Sequence, residues 1–133
     1  MALGLERAVA QILEDAGVGT WADQSITVGE EPPLPDGNVT VHLEGGGEAI
    51  RTVMEKAQVT VVTRRATYED ALEDSKTIHG VLHEFQGVVR GIRIADIYAD
   101  TLPLPLGRDL DAEGGRWRQT QTFTATTRRF AFT

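Results

Sequence analysis

The sequence predicts a single α+β domain over residues 1–133, in which two helices pack on one face of a mixed, mostly antiparallel sheet and long loops project from it. Three observations predict this fold. Two stretches repeat apolar residues with a helical period, several shorter stretches alternate as strands do, and Pro- and Gly-rich stretches separate them. A chain of 133 residues, 41% of them hydrophobic, is long enough to bury a substantial core.

Composition and charge exclude several classes of function. The chain has no Cys, which excludes disulfides and thiolate chemistry, and no apolar run reaches the roughly 18 residues of a membrane span. Of the net charge of −7, residues 1–50 carry nine acidic residues and one basic residue. A protein that grips nucleic acid needs a basic face, so we expect no specific binding of DNA. The acidic balance also suits a surface that DNA passes without sticking, although solubility alone explains it.

The first helix is predicted over Ala2–Ala16. Its stripe of apolar residues falls at positions i, i+4, i+7, i+8 and i+11. Gly17 follows directly and suits a left-handed C-terminal cap. The residues of the stripe are Leu5, Val9, Ile12, Leu13 and Ala16.

Two strands and a hairpin are predicted next. Ser25–Val28 and Val39–Glu44 read as strands, separated by a loop at Gly29–Asn38 that contains three prolines. Gly45–Gly47 is predicted to form a turn. Ile50–Thr63 is predicted to be one long strand, broken near Lys56, in a hairpin arm that projects from the body.

A strand, a helix and a strand follow between Gln58 and Asp100. The helix is predicted to begin after Thr67, a good N-cap that forms a pair resembling a capping box with Asp70. Gly87 is predicted to mark the end of the helix. We expect this crossover helix to lie beside the first helix on the sheet, with Gly91–Tyr98 as the returning strand. Its predicted buried face consists of Tyr68, Ala71, Leu72, Ser75, Ile78, Leu82 and Phe85.

The chain is predicted to close with a loop at Thr101–Gly115 and a strand at Arg116–Thr133. Two features of these segments are predicted to be interfaces. Leu102, Leu104 and Leu106 alternate with two prolines, and Trp117 lies between Arg116 and Arg118. The alternatives are a loop tucked onto the core and a core tryptophan with exposed arginines.

No constellation of residues predicts catalysis, a cofactor or a metal. His79 and His83 share one side of a helix, but the residues between them include no general base. Asp109, Asp111 and Glu113 alternate without the glycine and distal glutamate of a calcium loop. We therefore expect no enzyme activity and no cofactor.

The order of segments is similar to a known family of virion proteins. The residues that carry the likeness are Val39–Leu43, Val61-Val62-Thr63-Arg64, Thr67-Tyr68-Glu69-Asp70-Ala71, Leu106-Gly107-Arg108-Asp109 and Gly115-Arg116-Trp117. Together they resemble the minor capsid or tail-completion proteins of long-tailed phages, in particular the tail terminators.

This resemblance implies a function and a set of partners. It implies an α/β subunit that forms a hexameric ring on the last ring of the tail tube, stops tube growth and offers a surface to the head–tail connector protein. It places the chain in the tail or neck of a virion, made in the host cytoplasm, with DNA passing through the ring and no membrane partner. The interface residues would be Arg64, Tyr68, Leu102, Leu104, Leu106, Arg108, Arg116, Trp117 and Arg118. The acidic residues facing the lumen would be Glu30, Glu31, Glu44 and Glu48.

Two other functions stay open at this point. A head-completion or stopper protein of the neck also forms a ring, and no residue separates it from a terminator. A small enzyme or ligand-binding α+β domain, with a site between sheet and helices, is the alternative from a different class.

Overall fold

The computed structural model describes residues 4–23, 25–30, 32, 37–50, 54–109 and 116–128, with backbone only for 44–50, 54–55, 106–109 and 128. These residues form two helices and seven strands in the order α1, β1, β2, β3, α2, β4, β5, β6, β7. Each element is bounded as follows: α1 Leu5–Asp15, β1 Ile26–Val28, β2 Asn38–Ile50, β3 Met54–Arg65, α2 Tyr68–Leu82, β4 Gly87–Val89, β5 Ile92–Ala99, β6 Leu104–Asp109 and β7 Arg116–Arg128. The predicted α+β class is confirmed.

The strands lie in the order β1-β2-β3-β7-β5-β4, and β6 also pairs with β7. Only β1 and β2 run parallel in the described sheet; the other pairs are antiparallel. The long β7 is central. Strand β3 pairs along one of its edges, and β5 and β6 pair with successive parts of the other edge. The predicted strand–helix–strand unit is present, with β7 inserted between its two outer strands.

Both helices cover the same face of the sheet. Helix α1 packs on β1, β2 and β4, whereas α2 packs on β3, β5 and β7 and also touches α1. The odd-numbered residues of β3 and β7, such as Val59, Val61 and Phe123, point into this single core. On α1 the core takes Ala8 and Ala10 as well as the predicted stripe, but Ala16 is exposed.

Helix α2 begins at its predicted cap. Thr67 has extended backbone geometry, and its hydroxyl accepts a hydrogen bond of 3.2 Å from the backbone N–H of Asp70. The Nε2 of Gln121 donates 2.8 Å to the carbonyl of Ser75, which fixes the middle of the helix to β7. Tyr68 is 39% exposed, and Leu72 and Phe85 are only half-buried, so the predicted apolar face of α2 is narrower than expected.

Replacing Thr67 with alanine is expected to lower the free energy of unfolding by about 1 kcal/mol, because the N–H of Asp70 loses its acceptor. Urea denaturation measures the loss. Thr67→Ser keeps a hydroxyl and is expected to stay close to the original protein. An equal loss in both variants would show that the cap hydrogen bond contributes nothing.

The structure corrects the predicted turn at Gly45–Gly47. Strand β2 continues through these glycines to Ile50 and pairs with β3 as far as Met54. Two register shifts, at Leu43/Gly45 and Gly46/Ala49, accommodate extra residues there, and glycine is favoured at such bulges. Ile50 therefore belongs to β2, and β3 runs unbroken past Lys56. Because β7 pairs with β3 down to Met54, the described hairpin is not a free-standing arm.

The structure also corrects the predicted loop at Thr101–Gly115. Its residues Leu104–Asp109 form β6, which pairs antiparallel with Arg116–Thr120 of β7. Pro105 is tolerated because β6 is an edge strand, where a missing donor costs little. The short β4, which the sequence did not reveal, pairs with β5 across a turn at Arg90 and Gly91, both with positive φ.

Candidate functional site

The exposed apolar residues concentrate where β5 passes into β6. Tyr98, Leu102 and Leu104 are 54%, 72% and 51% exposed, and we call these three residues the edge patch. Other large exposed apolar side chains among the described residues are Tyr68 and Val88. Single exposed apolar residues are common on proteins, but three within seven positions of the chain are a candidate contact surface.

Three hydrogen bonds fix the base of this patch to β7. The backbone N–H of Asp100 donates 2.8 Å to the carbonyl of Thr122, and the N–H of Thr122 donates 3.3 Å to the Thr101 hydroxyl. The hydroxyl of Thr124 donates 2.6 Å to the Asp100 carboxylate. Because both ends of the excursion between β5 and β6 are held on β7, Leu102 is displayed at its outer tip.

A groove separates the excursion from α2. It has a volume of about 330 Å³ and is lined by Leu72, Lys76, His79, Leu102 and Pro103. The three helical residues fall at i, i+4 and i+7 and therefore share one stripe of α2. The patch and the groove together offer apolar surface on both sides of the Leu102 tip.

The two predicted histidines contribute to the sheet edge. Their rings stack with centroids 5.2 Å apart. The Nδ1 of His83 accepts a hydrogen bond of 3.1 Å from the N–H of Ala99, and the N–H of Glu84 donates 2.6 Å to the carbonyl of Ile97. The segment after α2 thus covers the outer edge of β5. No group of three or more His, Asp or Glu side chains able to hold a metal occurs in the described part of the chain.

The phenol of Tyr98 interacts with a residue of its own strand, β5. A hydrogen bond with Asp96, two residues earlier, is the main cause that raises the pKa of the Tyr98 phenol above its usual value, and the Asp96 charge adds to it. Tyr98 also lies edge-on to His83, with ring centroids 5.9 Å apart. This residue of the edge patch was missed by the sequence, which shows an alternating strand but not that β4 stops short of it.

The arginines of the predicted interface differ in their exposure. Arg64 is 2% exposed and Arg116 is 8% exposed, so neither offers surface in the single chain. The Nη1 of Arg64 donates 2.5 Å to the carbonyl of Pro32 and so holds the loop after β1 against β3. Arg118 is half-buried. Leu106 and Arg108 lie in β6, outside the residues whose side chains are described.

The predicted aromatic contact residues meet each other. The ring of Tyr68 stands edge-on to that of Trp117, with centroids 5.6 Å apart. Trp117 shares its face of the sheet with the core residues of β7, and Tyr68 covers it from the first turn of α2. The pair closes the end of α2 nearest to β6, with part of Tyr68 left exposed.

The predicted acidic residues are placed only in part. Glu30 is exposed, and its carbonyl accepts a long hydrogen bond of 3.4 Å from the Thr27 hydroxyl. Glu44 and Glu48 lie in β2 near its two register shifts, and their side chains are outside the described set. Glu31, Asp111 and Glu113 lie outside the described residues altogether.

Asp74 and Asp23 have shifted pKa values of opposite sign. Burial raises the pKa of the Asp74 carboxyl, and the nearby charges of Asp70 and Glu73 add to this, although Arg65 lies 3.3 Å away and acts in the other direction. At Asp23, hydrogen bonds from the hydroxyl and N–H of Ser25 and from Thr20 lower the pKa.

These shifts predict opposite pH dependences. Because folding raises the pKa of Asp74, the stability linked to its proton is present at low pH and is lost as pH rises through the folded value. We therefore expect Asp74→Asn to gain stability relative to the original protein as pH rises from acid to neutral. Asp23→Asn should lose stability over the same range, and denaturation at several pH values measures both. A relative loss for Asp74→Asn at neutral pH would mean that its ion pair with Arg65 outweighs burial.

None of the described helices is long and apolar enough to cross a membrane. No family model and no curated protein matches the sequence. A chain of the solved structure described as "Virion of native gene transfer agent (GTA) particle" matches with a TM-score of 0.66 at 16% sequence identity, over 93% of this chain and 94% of that chain. The two chains therefore share a fold along almost their whole lengths.

Proposed function

We propose that this chain is a structural protein of a phage-like virion, and that within the virion it acts as a tail terminator. In this role a ring of its copies caps the tail tube, ends its polymerisation and offers a docking surface to the head–tail connector. A hexameric ring is the form proposed. The role needs surfaces for assembly and no catalytic step.

One observation carries the proposal. A chain of a gene transfer agent virion shares this fold over more than nine-tenths of both chains. The likeness therefore extends over almost all of both chains and is not confined to one short segment. Fold alone does not fix function, which is why the assignment also draws on surfaces.

The surfaces of the described residues suit assembly. The edge patch places three apolar side chains in solvent, and a groove follows it along α2. A few residues near the desolvated centre of an interface carry most of its binding energy. We propose that Leu102 and Leu104 contact a partner, with Tyr68, Leu106, Arg108, Trp117 and Arg118 around them. Arg64 and Arg116 would support this surface from inside.

The acidic residues are proposed to face the lumen of the ring. Glu30, Glu31, Glu44 and Glu48 belong to the first 50 residues, where acids outnumber bases nine to one. Like charge would repel the phosphates of passing DNA and so prevent it from sticking. Carboxylates found on the outer rim of a ring would contradict this placement.

Deletion of the gene from the genome that carries it, followed by negative-stain microscopy of the lysate, tests the function. The terminator proposal predicts overlong tails without heads, because nothing stops tube growth. Complementation with the original gene is the control and should restore normal particles.

Other outcomes would change the assignment. Tails of normal length beside unjoined or leaking heads would indicate a stopper of the neck instead. Intact particles in normal number would contradict a structural role in the virion, and would reopen the enzymatic or ligand-binding alternative.

A further inference from the structure

The described sheet has two long stretches of strand edge without a strand partner. On β2, strand β1 covers only Val39–Val41, so the outer edge from His42 to Ile50 is open. On the other side, β6 pairs with β7 by one edge, and its outer edge is open from Leu104 to Asp109. These statements concern the residues that the structure describes.

The fold covers a third edge that would otherwise be open. The outer edge of β5 is paired with β4 up to Ile94 and then receives His83 and Glu84 through hydrogen bonds at Ala99 and Ile97. Unpaired edges promote uncontrolled association, and natural proteins usually block them. The outer edges of β2 and β6 have no such cover among the described residues, and within β6 only Pro105 lacks a backbone donor for a further strand.

We propose that β6 of one copy of this chain adds to the open edge of β2 of the next copy, so that the sheet continues from subunit to subunit. The occupant of each edge is thus a second copy. This pairing deepens the proposed ring and rests on that proposed function, because it names the contact by which neighbours in the ring would meet.

Strand direction permits the pairing. β2 is antiparallel to β3, β3 to β7, and β7 to β6, so β2 and β6 run in opposite directions within one copy. A second copy placed beside the first in the same orientation brings its β2 antiparallel to the first copy's β6. Its helices then lie on the same side of the continued sheet.

The two open edges are different surfaces of the same copy, which is what a ring requires. A contact between two different surfaces is heterologous, and it closes into a ring when the rotation between copies allows it. The open parts lie towards opposite ends of the sheet, since β6 faces Arg116–Thr120 of β7 while the open part of β2 faces residues 54–60 of β3. To continue the sheet, the second copy must therefore be shifted along the strand direction relative to the first, as the strands of closed β-barrels are.

Side-chain chemistry supports the same partner. Leu104 begins β6 and is half exposed, and the exposed Leu102 lies two residues before it. The open stretch of β2 carries three consecutive glycines, which let another backbone approach closely, and its charged residues are Glu44 and Glu48. The end of the sheet that holds β6 carries Arg108 and the half-buried Arg118, of opposite sign.

Disulfide trapping tests the pairing, because the natural chain has no cysteine. His42 and Leu104 lie on the same, helix-free face of the sheet, as their register partners Thr60 and Thr120 show. Particles are produced from a gene deletion complemented with a chain that carries both His42→Cys and Leu104→Cys, and are then oxidised. The proposal does not fix which residue of β2 lies opposite Leu104. Gly45→Cys and Gly47→Cys therefore replace His42→Cys in parallel chains. A disulfide needs Cα atoms about 4.4–6.8 Å apart.

The expected result is a ladder of linked chains with at least one of the β2 positions. Leu104→Cys alone should give no ladder, and Leu104→Cys combined with Val88→Cys serves as the matched control, because Val88 is exposed on β4. A ladder no stronger than this control, in particles that contain the chain, would overturn the pairing but leave the proposed function standing. Efficient dimers from Leu104→Cys alone would overturn it too, because β6 would then meet β6. Absence of the original chain from purified particles would overturn the proposed function, and the ring contact with it.

Discussion

Replacing Phe123 with alanine is expected to lower the free energy of unfolding by about 3–5 kcal/mol. Phe123 is 1% exposed at the middle of β7, where it pairs with Val59 of β3 and Ala99 of β5. Its ring also approaches that of His79, with centroids 6.5 Å apart. The substitution therefore leaves a cavity between the central strand and α2, where the surroundings are held by three strands and collapse little.

Chemical denaturation followed by circular dichroism measures this loss, which is a large part of the roughly 5–15 kcal/mol that stabilises an ordinary domain. Thr126→Ala is the matched control, since Thr126 lies three residues later on β7 and on the face that bears no helix. It is expected to cost less than about 1 kcal/mol. Equal losses in the two variants would contradict the view that the core is organised around the helix-bearing face of β7.

The parts of the fold that local chemistry determines were predictable from the sequence. Helix α2 begins at Thr67 because its hydroxyl caps the helix, and Gly17, with φ of 83°, takes the left-handed conformation expected after α1. Such signals act within a few residues and depend little on the rest of the chain. Both helices were therefore placed to within a few residues.

The parts that depend on distant strands were not predictable. The three glycines of β2 suggest a turn, and only pairing with Gln58 and Ala57 of β3 draws them into a strand. In the same way, Pro105 argues against a strand until β7 is known to lie on one side of it. Bulges and edge positions are properties of the assembled sheet, which no local pattern encodes.

The candidate site was predicted in the same uneven way. The alternation of leucines and prolines marked a segment in which Leu102 and Leu104 are exposed, because prolines keep such a segment extended. At Arg64 the charge did not reveal that the residue is almost fully buried in the single chain, and its part in an interface stays a prediction. Its long side chain satisfies the carbonyl of Pro32 across the uncovered face of the sheet, a contact between residues 32 positions apart.

Replacing both Leu102 and Leu104 with aspartate is expected to abolish assembly while leaving the single chain folded. The two side chains are 72% and 51% exposed, so their loss removes little of the core, and the free energy of unfolding should change by about 0.5 kcal/mol or less for each. At the proposed contact the same changes bury two carboxylates against apolar surface. Each is expected to weaken association by about 2 kcal/mol or more, which is roughly thirtyfold.

Complementation of the gene deletion, scored by infectious or transducing particles, measures assembly, and denaturation of the purified variant measures folding. Val88→Asp is the matched control because Val88 is 60% exposed on β4, away from the edge patch. It introduces the same charge at similar exposure and should assemble normally. Loss of assembly in both would indicate a general effect of added negative charge on a chain that already carries −7. Loss of soluble protein in the double variant alone would show that the excursion packs as core, and the partner surface would then have to lie elsewhere on the sheet.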